Sequence, residues 1–208
     1  RYLRTYVSKR ACPDEDERME RMLIRDAILI ASNTMLRVGE LWQLKWKDII
    51  SIDDVFDENE KRISLVTINV RAEISKVRKS RRIPVRGGDY VKRVKARAQH
   101  TNPEDFVFCA IGKNTKVRAH TWYDHWKVIM NAIDIPDYVE RQLTWYSLRH
   151  FGITCRIRSK ALLSDIAQLA GTSVAHVENT YGHFDDDMLR DASVKNFSVD
   201  TYGISHKD

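Results

Sequence analysis

Only three cysteines, Cys12, Cys109 and Cys155, are scattered over the 208 residues, and no Cys-x-x-Cys pair occurs. Disulfide frameworks and zinc modules need more thiols at closer spacing, so a reducing, cytoplasmic setting is expected. Apolar runs are short, as in Ala27-Ile28-Leu29-Ile30-Ala31. None approaches the roughly 20 residues that cross a bilayer, so no membrane partner is expected. The opening Arg1-Tyr2-Leu3-Arg4 lacks the apolar core of a secretion signal and a starting Met, so the chain is expected to be a fragment or processed product. There is no glycine-rich phosphate loop, which argues against nucleotide hydrolysis. The seven histidines show no zinc-like spacing with cysteine, and Asp185-Asp186-Asp187 reads as a helix start rather than a Mg²⁺ site. No metal and no cofactor is therefore expected.

What is present suits a folded domain. Hydrophobic residues make up 43% of the chain, enough for a core, and charged residues 31%. The formal charge is +6, a weak pointer to a polyanion by itself, but it is unevenly spread. Between Arg71 and Arg97, eleven basic residues face two acidic ones, +9 over 27 residues. From Phe184 to Asp208 six aspartates face three basic residues, −3. A basic stretch of that density suits contact with phosphates, the ordinary alternative being a solvated hairpin and helix face.

Periodicity places the elements. Pro13 and the acids that follow it open a helix that runs to about Asn33, with Met19, Met22, Leu23, Ala27, Ile28 and Ala31 at helical spacing. A second helix is expected from Val38 to about Trp46, then an acidic turn from Asp53 to Glu60. Ile63–Val70 and Arg82–Arg86 read as strands, the second at an edge because of Pro84, with Ser75–Ser80 as the hairpin tip. Gly87-Gly88 opens a helix through Ala98. Further helices are expected over His120–Ile133, Trp145–Ser159, Leu162–Ala170, Val174–Tyr181 and Asp187–Asn196. The fold class is therefore α+β, mainly α-helical with a small antiparallel β-sheet.

Four segments carry chemistry. The first is Asn33-Thr-Met-Leu-Arg37-Val-Gly-Glu40, in which an Arg follows a turn and an acid lies three residues on. The second is the hairpin Ser75-Lys76-Val-Arg78-Lys79-Ser-Arg81-Arg82-Ile-Pro84. Third comes Leu143-Thr-Trp-Tyr146-Ser-Leu-Arg149-His150. The last runs from Ala170-Gly171-Thr172-Ser173 to Tyr181-Gly-His183, with nine positions from Thr172 to Tyr181. The stretch 162–174 also has the form of a helix-turn-helix. Taken singly, Arg37 is a surface charge, Lys76 a solvated hairpin residue and Tyr181 a packing residue. Together and in this order, over about residues 14–185, the segments resemble the tyrosine recombinase (phage integrase) family.

The resemblance implies that fold and a site-specific DNA recombinase. Strand cleavage without metal, through a covalent 3′-phosphotyrosine and a Holliday junction, would integrate or excise a phage or mobile element. It implies catalytic roles for Arg37, Lys76, Tyr146, Arg149, Thr172 and Tyr181. Tyr181 is the nucleophile, Arg37 and Arg149 hold the phosphate in bidentate fashion, and Lys76 protonates the leaving 5′ oxygen, with Lys79 the alternative. Glu40, His150 and His183 stand behind them as supporting groups, and Arg78, Lys79, Arg81 and Arg82 are candidate DNA contacts. Two positions depart from the family pattern: Tyr146 stands where His is usual, and Thr172 where His or Trp is usual. A tyrosine hydroxyl can only hydrogen-bond or relay where a neutral His could accept a proton. Residues 1–13 are expected to be a linker or the end of a DNA-clamping domain, 14–185 the catalytic domain, and 186–208 a tail with a docking helix. Expected partners are double-stranded recombination sites, a homotetramer on DNA that is monomeric as an isolated domain, and an accessory directionality factor. The alternatives are a type IB topoisomerase and a non-catalytic helix-turn-helix regulator.

Overall fold

A computed structural model describes residues 2–12, 14–57 and 59–181, and the backbone of 197–199 and 205–207. A short helix, α1 (Tyr2–Tyr6), precedes the long α2 (Glu15–Thr34), which starts where its acids complement the helix dipole. Asp14 caps it by accepting the Glu17 amide hydrogen bond at 2.7 Å. One face of α2 buries Leu23, Ile24, Ala27, Ile28, Ile30 and Ala31. The helix stops at Met35, whose φ of 56° reverses the chain. A left-handed non-glycine residue costs about 1–2 kcal/mol, and full burial of the Met35 side chain offsets that.

The expected helix from Val38 to Trp46 is only one turn long, α3 (Val38–Leu41). Beyond it the chain is drawn out to pair with a distant segment. Val107 donates to the Leu44 carbonyl at 2.9 Å and Trp46 to that of Asp105 at 3.0 Å. The indole of Trp46 donates to the His100 carbonyl. Tertiary pairing thus overrides a periodicity that suited a helix. A 3-10 turn at Trp46–Asp48 then leads into the sheet.

The sheet is an antiparallel meander of β1 (Ile49–Phe56), β2 (Arg62–Val70) and β3 (Arg81–Arg86), in the order β1-β2-β3. The expected acidic turn from Asp53 is a correction: strand pairing continues to Phe56, opposite Arg62. Asp54 tolerates its strand position because Arg62 and Lys92 bind its carboxylate at 2.7 and 3.2 Å. Pro84 lies on the edge strand, opposite Thr67. Val66, Ile68 and Val70 of β2 and Ile83 and Val85 of β3 alternate inward and join the main core beside α2 and α4 (Gly88–Arg97).

The rest is helical: α5 (Ala119–Ala132), α6 (Trp145–Arg158), α7 (Leu163–Ala170) and α8 (Val174–Tyr181). Indoles lock the start of α6. Trp42 stacks on Trp122 at 5.3 Å, Trp145 meets Trp122 edge-on at 5.1 Å, and the Trp145 indole donates to the Trp122 carbonyl. A second, smaller core of Met35, Ile153, Ile157, Ile166, Ala167, Ala170 and Val177 joins α6, α7 and α8 to the end of α2, with Tyr181 packed against it. Strands β4 (Phe197–Val199) and β5 (Ser205–Lys207) pair antiparallel. The expected helix over 187–196 lies outside the described residues.

Gly152 is where α6 touches α2. A Cβ there would come within 2.7 Å of the Ser32 carbonyl oxygen. Gly152→Ala is expected to push the helices apart and lower the unfolding free energy by about 1–3 kcal/mol, measured as an earlier midpoint in chemical denaturation.

Candidate active site

Two turns and a helix deliver the site. The left-handed Met35 turns its carbonyl toward α6 and leaves Arg37 at the start of α3. Arg149 sits one turn inside α6, behind the indole anchor. Gly171, at φ 66°, makes the tight turn between α7 and α8.

The two guanidiniums converge on successive carbonyls. Arg149 is 3% exposed and donates through Nη1 to the Met35 and Ala170 carbonyls, the latter at 2.8 Å. Arg37 donates through Nη2 to the next carbonyl, Gly171, at 2.7 Å. The two guanidiniums that are 112 positions apart in sequence therefore share one turn. Among the described residues no carboxylate pairs with Arg149. Burial and the charge of Arg37 both lower its proton affinity. A buried cation short of an anion is costly and marks a site built to receive one.

Glu40 supplies the local negative charge. It is 1% exposed and accepts from the Arg37 amide and Nη1 at 3.0 Å each. From the other side Arg81 grips both carboxylate oxygens at 3.0 and 2.7 Å. Burial works to raise the Glu40 carboxyl, but the Arg81 and Arg37 contacts prevail and hold it below the usual carboxylate range. Three guanidiniums against one carboxylate leave the cluster at +2.

Arg81, expected among the DNA contacts, thus has its guanidinium on Glu40, with the side chain only 13% exposed. The alternation of β3 contains the signal: Arg81 is in phase with the inward Ile83 and Val85, whereas Arg82 is in phase with the outward Pro84 and Arg86. A Cβ on Gly171 would lie 2.6 Å from the Arg81 guanidinium, so only glycine fits there while Arg81 holds Glu40.

Lys76 is exposed on the hairpin and lines an open cleft with Arg37, Glu40, Ser75 and Arg78. Lys79 is exposed but is not among the lining residues. Ser75, which sequence reasoning missed, lines the same cleft with a buried hydroxyl that has no hydrogen-bond partner. Its only sequence signal is adjacency to Lys76.

Tyr181, the last described residue of α8, directs its hydroxyl to Nδ1 of His150 at 2.6 Å. Burial pushes its phenol up to about 12 against the opposing pull of Arg149. The His150 imidazole is pushed down by burial, then by the charges of Arg149 and His176. Tyr146 stands edge-on to His150 at 4.9 Å. It is 39% exposed, and among the described residues nothing hydrogen-bonds its hydroxyl. Thr172 is half-buried in the turn, its amide donating to the Ala167 carbonyl. His183 lies outside the described residues.

The basic stretch divides in two. Arg71 pairs with Asp48, Arg81 with Glu40, Lys92 with Asp54, and Arg93 and Arg97 with the fully buried Asp26. Lys76, Arg78, Lys79, Arg82, Arg86 and Lys95 have no ion pair among the described residues, Lys95 lying over the Trp46 ring instead. The hairpin and β3 thus hold five cations without an acid partner, next to the Arg37 cleft, whereas on α4 Lys95 lacks one and Arg93 and Arg97 share Asp26. Among the described residues no group of three or more His, Cys, Asp or Glu is placed to hold a metal ion.

The helices around a three-stranded antiparallel sheet form the fold of a tyrosine recombinase catalytic domain. The phage integrase family profile matches residues 10–188, and the chain belongs to that family. Among solved structures it is similar to the XerH site-specific recombinase bound to difH substrate, at 19% identity and a TM-score of 0.60, over 92% of this chain and 51% of that one. It is also similar to the Tn1549 transposon integrase in complex with transposon right end DNA, at 17% identity and 0.58, covering 82% and 58%. The XerA recombinase gives 24% and 0.54, covering 86% and 62%. The chain thus spans roughly half to three-fifths of the length of these structures. No curated protein matches.

Glu40→Gln is expected to cost about 3–5 kcal/mol, because two guanidiniums lose a buried counterion. The Glu40 carboxyl is lowered on folding, so its contribution is complete above the unfolded value and fades as pH falls through the folded one. Unfolding free energy of the unmodified chain is expected to drop on acidification below about pH 4.3, and denaturation curves of the variant to lack that share of the drop.

Proposed function

We propose that this chain is the catalytic part of a site-specific DNA recombinase. It cleaves and rejoins strands through a covalent 3′-phosphotyrosine, passing through a Holliday junction as a homotetramer, to integrate or excise a mobile element. One observation carries the reading: Arg37 and Arg149 meet on the Ala170–Gly171 turn with excess positive charge, beside the Tyr181 hydroxyl. That is what a scissile phosphodiester requires. Its non-bridging oxygens gain charge in the transition state, and preorganised guanidiniums stabilise that charge without reorganising.

Tyr181 attacks phosphorus as the bond to the 5′ oxygen breaks, and Lys76, across the cleft from Arg37, protonates the leaving oxygen. The phosphotyrosine conserves the ester, so rejoining to another strand needs no nucleotide hydrolysis. Thr172, on the same turn, hydrogen-bonds the phosphate. The hairpin cations Arg78, Lys79 and Arg82 follow the DNA backbone. Residues 14–185 form the catalytic unit, and 1–13 and 186–208 join it to neighbouring parts of the assembly.

The test is covalent capture from a library of nicked duplexes with randomised sequence, in which loss of the short 5′ fragment traps the ester. The unmodified chain is expected to yield a DNA adduct at Tyr181, and Tyr181→Phe none while still binding DNA. Absence of any adduct from the unmodified chain, or an adduct that survives Tyr181→Phe, overturns the reading. Relaxation of supercoils without exchange between two sites would point instead to topoisomerase action.

The charge division yields a second expectation. Arg82→Ala should flatten the plot of log affinity for duplex DNA against log salt by about one unit. Lys92→Ala should leave that slope unchanged, since Asp54 already neutralises Lys92.

A further inference from the structure

We propose that His150 is the general base that takes the Tyr181 hydroxyl proton, a role that position 146, a tyrosine here, cannot fill. The inference rests on the recombinase reading above and adds to it the group that activates the nucleophile.

Three observations carry it. The Tyr181 oxygen is 2.6 Å from Nδ1 of His150, within direct proton-transfer range. With Tyr181 donating, Nδ1 is the lone-pair nitrogen and Nε2 carries the ring proton. Next, the ring is held in place: Tyr146 stands edge-on to it at 4.9 Å from its own helix, and Tyr181 lies across it at 5.5 Å from α8. Finally, among the described residues no other base reaches the phenol. Tyr146 is itself a phenol, and among the described residues the Tyr181 oxygen has no other hydrogen-bond partner.

The surrounding charges set when the base works. The titratable neighbours are Tyr146 and Arg149 on α6 and His176 and Tyr181 on α8. Burial, Arg149 and His176 all disfavour the imidazolium, so the free ring is neutral at pH 7 and ready to accept. A phosphodiester docked on Arg149 brings negative charge that compensates that arginine. The imidazolium is then less disfavoured, and the basicity of His150 rises as substrate arrives. In the forward step the Tyr181 O–H bond breaks and its proton moves to Nδ1. The phenolic oxygen then forms the bond to phosphorus while the bond to the 5′ oxygen breaks. On rejoining, the imidazolium returns that proton to the phenol.

The experiment follows the rate of adduct formation against pH, using a nicked duplex recovered by covalent capture on the unmodified chain. The unmodified rate is expected to rise through the His150 titration and then level off. His150→Gln should slow the adduct at pH 7 by about 10²-fold or more. Its residual rate should climb tenfold per pH unit with no plateau, because Tyr181 then ionises unaided. A variant that keeps the plateau and a rate within a few-fold of the original overturns the assignment to His150 alone. No adduct from the unmodified chain overturns the recombinase reading itself. If the variant does not fold, NMR titration of His150 in the DNA-bound unmodified chain decides. Its midpoint must coincide with the acid limb of the rate and lie above that of the free protein, and a mismatch overturns the proposal.

Discussion

The Glu40 carboxylate is the interaction on which the rest depends. Without it, Arg37, Arg81 and Arg149 would bring three positive charges together in a region with little water, and the loops that carry them would separate. With it, the start of α3, the end of the hairpin and the α7–α8 turn are tied to one point. Arg37 is oriented through both its backbone and its side chain, and the remaining charge is left for an incoming anion. A buried ion pair is poor evidence of stability in general. Here its value is geometric, because it fixes where two guanidiniums point.

Much of the fold was legible because the periods were clear. The helical spacing of Leu23, Ala27 and Ala31 marked α2, and the β-branched run Ile63–Val70 marked β2. Reading failed where distant partners decide. Leu44 and Trp46 fit a helical stripe, but the 105–107 segment pairs with their backbone. Asp53 and Asp54 read as a turn, but cations across the strand neutralise Asp54. Propensity is local, whereas the 105–107 segment and Lys92 are far away in sequence and Arg62 meets Asp54 only once β1 and β2 pair.

The candidate site shows the same division. The four motif segments named Arg37, Lys76, Arg149 and Tyr181, and the structure brings Arg37 together with Arg149, Lys76 and the hairpin to the Arg37 cleft, and Tyr181 to His150. Composition overstated the basic surface. A count from Arg71 to Arg97 cannot tell Arg93, committed to Asp26, from Arg82, which has no ion pair among the described residues. Only the placement of the acids, each far away in sequence, separates structural cations from those left to meet a polyanion.

Gly171 has a consequence that reaches beyond its own turn. The hydrogen in place of a side chain leaves just enough room for the Arg81 guanidinium, which could step aside only by giving up its grip on Glu40. A methyl group at 171 would therefore dislodge a cation on the sheet, loosen the grip on Arg37 and tilt the nucleophile's helix in one stroke. A tight tolerance beside the site thus falls on an atom that takes no part in any bond-making.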